Sequence, residues 1–210
     1  MSIRMVTAGL AIVGLAACGS PQSSGTASTG GTPPAPMPAS SSTPTPVSGQ
    51  VRPPETDAEK VVNAMAAAPE AVSKDATVID FDANMKPRTL KSGTNGWTCV
   101  PDYPKSPGVD PMCLDANGME WLQAYAEKRT PPADKLGFAY MLLGGSDATN
   151  HDPYAEGPAA GQNWIDTGPH VMVLNIGNRF AGYPTTHDNT KVPYIMWPDT
   201  PYAHLMIPVK

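Results

Sequence analysis

The spacing of apolar residues changes several times along the chain, and each change marks an element. An apolar run from Met5 to Leu15 follows Arg4. It fits the 7–15 residues of a secretory h-region and falls short of the ~20 that a membrane-spanning helix needs. Apolar residues then almost vanish until residue 52. A helix is expected over Ala58 to Ala68, where Thr56-Asp57-Ala58-Glu59 has the capping-box pattern and Pro69 interrupts. Ala76 to Phe81 reads as a strand, with Asp82-Ala83-Asn84 as a turn and Arg88 to Lys91 as the returning strand. Ser92 to Gly96 turns again into Trp97-Thr98-Cys99-Val100. Asp115 caps a second helix whose Met119, Trp121, Leu122, Tyr125 and Ala126 share one face, until Thr130-Pro131-Pro132 stops it.

Beyond that point strands dominate. Phe138 to Leu143 is a short buried run, His170 to Asn175 and His204 to Ile207 are strands, and Tyr194-Ile195-Met196-Trp197 is apolar throughout. Between them, Gly144 to Asn163 is a long polar loop of the kind that is functional or disordered. These elements predict an α+β fold, a single domain over 56–210 with a largely antiparallel sheet and about two helices. At about 155 residues it can bury a real core.

Residues 19–51 contain Gly, Ser, Thr, Pro, Ala and Gln with little else and no charged side chain. That composition cannot offset the entropy of ordering, so 19–55 is expected to be a disordered tether. Residues 1–18 form a signal segment that ends in Leu15-Ala16-Ala17-Cys18, and this tetrapeptide resembles the lipobox of bacterial lipoproteins. The resemblance implies cleavage before Cys18, a diacylglycerol on its thiol, palmitate-type acylation, and attachment to a bacterial cell envelope through the lipid. Gly19 after the cysteine implies the outer membrane if the cell is Gram-negative.

With Cys18 acylated, Cys99 and Cys113 remain as a pair in a compartment where disulfides persist. The segment 100–112 holds Pro101, Pro104, Pro107, Gly108 and Pro111 and is expected to lack regular structure, so a disulfide would hold it. The alternative, a redox or metal-binding thiol pair, fits the spacing poorly. Formal charge is -5 with scattered cations, which disfavours nucleic acid as a partner.

Candidate chemistry is sparse. His170-Val171-Met172 and His204-Leu205-Met206 each place an imidazole and a thioether on one face of a predicted strand. If the strands pair in register, His170, Met172, His204 and Met206 would converge as a copper site, since these soft donors suit Cu(I). The competing reading is core methionine with histidine bonded to backbone. Asp147, Asn150 and Asp152 could offer oxygen ligands to calcium; Asp and Asn side chains bonded to their own loop backbone are the alternative. A small hydrolase could use His151, His170, His187 or His204 with aspartates of the 144–163 loop, although no G-x-S-x-G, H-E-x-x-H or phosphate loop is present.

Asn95-Gly96-Trp97-Thr98-Cys99, Asp110-Pro111-Met112-Cys113, Gly144-Gly145-Ser146-Asp147, Gly168-Pro169-His170-Val171-Met172 and Thr200-Pro201-Tyr202-Ala203-His204-Leu205-Met206 are similar to segments of a group of exported bacterial proteins without assigned activity. The resemblance implies a genuine domain and transfers no chemistry. The expected function is therefore a membrane-anchored envelope lipoprotein acting as a non-enzymatic binding or interaction module, with an envelope protein or small ligand as partner.

Overall fold

A computed structural model describes residues 53–82 and 86–209. The signal segment, Cys18, nearly all of the tether and part of the Asp82-Ala83-Asn84 turn lie outside the described residues. Chain order is α1 (Asp57–Met65), α2 (Glu70–Ser73), β1 (Thr77–Phe81), β2 (Pro87–Lys91), β3 (Thr98–Val100), β4 (Met112–Leu114), α3 (Ala116–Ala126), β5 (Gly137–Met141), β6 (Ser146–Asp147), β7 (Ile165–Asp166), β8 (His170–Leu174), β9 (Tyr194–Met196) and β10 (His204–Pro208).

Local chemistry sets the helix starts. Thr56 accepts from the Glu59 backbone N–H while the Glu59 carboxylate accepts from the Thr56 N–H, a complete capping box. The first helix stops at Met65, short of the expected Ala68, and Pro69 stands at the N-cap of a further short helix, α2, that the pattern did not predict. Asp115 caps α3 by accepting from Gly118 N–H at 2.7 Å. A Cβ on Gly137 would lie 2.6 Å from the Gly118 nitrogen, so two glycines let the start of α3 lie directly on β5.

Eight strands form one sheet in the order β2-β1-β3-β4-β5-β8-β10-β9, while β6 and β7 pair separately. Every pairing is antiparallel except β1 with β3. This is the α+β, largely antiparallel domain that the residue pattern predicts. Helices lie on both faces. Beneath α1, Ala64 packs with Val78, Cys99 and Cys113; on the opposite face Trp121 of α3 heads the larger core with Leu114, Met172 and Met206.

The Pro-rich segment differs from expectation. Cys99 and Cys113 form a disulfide, and they face each other in register across β3 and β4, so Val100 and Met112 are paired strand residues. The prolines between them break only the middle of the segment. That middle has its own support: Asn63 Oδ1 accepts from Asp102 N–H (2.8 Å), Asp102 Oδ1 from Asp110 N–H (2.9 Å), and Asp110 Oδ1 from Ser146 N–H (2.7 Å). The disulfide therefore restrains this loop together with the β3–β4 ladder and these hydrogen bonds.

Candidate functional site

Strand register decides what the four sequence-predicted copper ligands can do. Met172 stands opposite Met206, and His170 opposite Pro208, across β8 and β10. His204 stands opposite Met196 on β9. All four side chains share the face under α3, and the two thioethers are direct neighbours. The imidazoles are not: four residues of strand separate their rows, roughly 13 Å at ~3.3 Å per residue. This register does not bring both histidines and both methionines to one point on the sheet face. The expectation of a single four-ligand site is corrected to two ends of one soft-donor face.

Each end contains a methionine that sequence reading passed over. Met141 on β5 stands directly opposite His170, and Met196 directly opposite His204. No local pattern marks either, because cross-strand neighbours are fixed by register rather than by spacing.

Both histidines are buried and hold their rings in the same way. His170 Nδ1 lies 2.7 Å from the Gly168 carbonyl and His204 Nδ1 lies 2.9 Å from the Tyr202 carbonyl. A carbonyl only accepts, so each Nδ1 carries the proton and each Nε2 keeps its lone pair. Burial lowers the pKa of His170, and burial takes His204 down to about 4 against the raising effect of its bond to the Tyr202 carbonyl. Their surroundings then diverge. His204 sits edge-on to Trp121 and Trp197, with ring centroids 5.4 and 5.1 Å away. His170 Nε2 is buried with no hydrogen-bond partner.

A groove of about 310 Å³ opens near the His170 end, lined by Pro107, Gly108, Gly145, Ser146, Trp164 and Asp166. Its floor is tight at Gly145, where an added Cβ would meet Asp110 Oδ1 at 2.9 Å, Met141 Cε at 3.1 Å and Thr167 Oγ1 at 3.2 Å. Asp110 is already engaged by Ser146 N–H and the Ser106 hydroxyl, and Gly108 N–H donates to Ser146 Oγ. Thr167 Oγ1 is buried and unpartnered.

The calcium expectation is corrected. Asn150 is fully buried and points inward, its Nδ2 donating to the Thr185 and Ile195 carbonyls and its Oδ1 accepting from Trp197 N–H. Asp147 and Asp152 each accept from the backbone N–H two residues on, the Asx-turn arrangement. Among the described residues no three His, Cys, Asp or Glu side chains gather to hold a metal. A histidine-based hydrolase fares no better: His170 and His204 are oriented by backbone carbonyls rather than carboxylates, and His151 and His187 are exposed.

Asp147 is nevertheless unusual. Burial lifts its carboxyl to about 7, against hydrogen bonds from Thr149, Ala148 and Trp197, with the charge of Asp110 adding to the rise. The folded state therefore keeps a proton that an unfolded aspartate releases near pH 4. Stability falls as pH rises from about 4 to about 7, and the full penalty is present above 7. Asp147→Asn is expected to unfold at nearly the same urea concentration as the parent at pH 4. By pH 8 it should be more stable by up to about 4 kcal/mol, at ~1.4 kcal/mol per pH unit. The depressed histidines contribute with opposite sign but are common to both proteins, so the difference isolates Asp147. Parallel urea midpoints across pH 4, 6 and 8 would count against it.

The geometry defines the class as an α+β domain with helices on both faces of a mostly antiparallel eight-stranded sheet. No protein-family model, curated protein or solved structure matches the chain.

Proposed function

We propose that the chain is a lipid-anchored binding module on the outer side of a bacterial cytoplasmic membrane, tethered through Cys18 and, in a Gram-negative envelope, carried to the outer membrane. The observation that carries this reading is the Cys99–Cys113 disulfide, seated inside a strand ladder. It accounts for two of three cysteines and leaves Cys18 of the Leu-Ala-Ala-Cys segment for the lipid. Such a bond suits an oxidising compartment. No helix among the described residues is long and apolar enough to cross a membrane, so attachment in this reading rests on acyl chains, each buried CH₂ contributing ~0.8 kcal/mol.

The test is metabolic labelling with an alkyne fatty acid in a bacterial host. The wild-type chain is expected to carry label and to sediment with membranes, and Cys18→Ala to lose both properties. A labelled Cys18→Ala chain, or wild type free of label with the leader intact, overturns the proposal. A second reading concerns what the module binds. Met172 opposite Met206, flanked by two neutral imidazoles on the same face, favours a soft ion, Cu(I), over hard cations.

A further inference from the structure

We propose that His170 Nε2 and the thioether sulfurs of Met141 and Met172 form a Cu(I) site on the sheet face close to Gly145, a proposal that rests on the soft-ion reading of the same sheet face. The three residues occupy one face of adjacent strands, Met141 directly opposite His170 and Met172 two residues along from it. Directly opposite Cβ atoms in an antiparallel pair lie ~5 Å apart, and same-face positions along a strand ~7 Å apart. Both flexible thioethers therefore start within reach of the imidazole.

The second, independent observation is the nitrogen itself. His170 Nε2 is buried, has no hydrogen-bond partner, and carries a lone pair because Nδ1 is committed to the Gly168 carbonyl. Burying a polar acceptor without a partner is costly, and a backbone carbonyl on the far nitrogen is how metal-binding histidines are oriented. Gly145 lines the groove, and the methyl end of Met141 lies 3.1 Å from where a Cβ on that glycine would stand. The carboxylates beside the groove are engaged, Asp110 by Ser146 N–H and Ser106 and Asp166 by Gly168 N–H, so the donor set proposed is soft, which selects Cu(I) over zinc or calcium. The His204 end differs, because Trp121 and Trp197 crowd its ring.

The experiment uses the full lipidated chain in detergent, disulfide intact, titrated anaerobically with Cu(I) in ascorbate against the chromophoric competitor bicinchoninate. One Cu(I) per chain is expected. Met141→Leu and Met172→Leu, which keep side-chain volume, should each weaken binding at least tenfold, while Met119→Leu on α3 stays within twofold. X-ray absorption of the wild-type complex should find one nitrogen and two sulfur neighbours at about 2–2.5 Å, and it decides the matter if a leucine variant melts early. No retained copper overturns both this site and the soft-ion reading. Copper lost in Met206→Leu but bound normally by Met141→Leu overturns this site and leaves that reading standing. A first shell of nitrogen and oxygen alone overturns it too.

Discussion

Trp121→Ala is expected to cost about 3–5 kcal/mol of unfolding free energy, the range for removing a buried tryptophan, and to show as a lower urea midpoint with unchanged slope. Trp121 is 3% exposed and sits where α3 meets the last strands. Its ring stacks with Tyr125 and Trp197 at 5.9 and 6.2 Å and meets Tyr202 and His204 edge-on at 6.3 and 5.4 Å. Aromatic pairs add ~0.5–1.5 kcal/mol each beyond area burial, and alanine removes four at once. Trp121→Phe separates shape from polarity. It keeps most of the stacking and deletes the indole N–H, which is buried without a partner, so its loss should stay below about 2 kcal/mol. Equal losses in the two variants would mean the aromatic cluster is not what holds α3 to the sheet.

Replacing both Cys99 and Cys113 with alanine is expected to lower stability by about 3 kcal/mol, the chain-entropy value for a loop of ~15 residues. In a domain of this size that is a fall of roughly 6–12 °C in Tm. Both cysteines are fully buried under α1, with Cys113 Sγ 3.4 Å from the Ala64 carbonyl, so the alanines also leave a small void. Folding should survive, because the β3–β4 ladder and the Asn63-Asp102-Asp110-Ser146 hydrogen bonds still close the loop. Calorimetry of the double variant beside the parent measures the change. An unchanged Tm would leave that polar chain as the dominant restraint.

Much of this architecture was legible from local chemistry. The Thr56 and Asp115 caps, the break at Pro69 and the strands beginning near Thr77, His170 and His204 all follow from capping, proline and two-residue alternation. What escaped was non-local. β4 hid among prolines because its partner lies across the loop, and β6 and β7 have only two residues each, too few to show a period. Alternation put His170 with Met172 and His204 with Met206, but only pairing could reveal Met141 and Met196 beside them. Asn150 misled for a related reason: in sequence it is one more polar loop residue, in space a buried bracket between Thr185, Ile195 and Trp197.

The sheet runs nearly in chain order until its end, where β10 lies between β8 and β9 rather than at the rim. Among the described strands β9 pairs only with β10, which follows it in the chain, so during synthesis from the amino terminus β9 cannot join the sheet before β10 has been made. Whatever frees β10 therefore frees β9 with it.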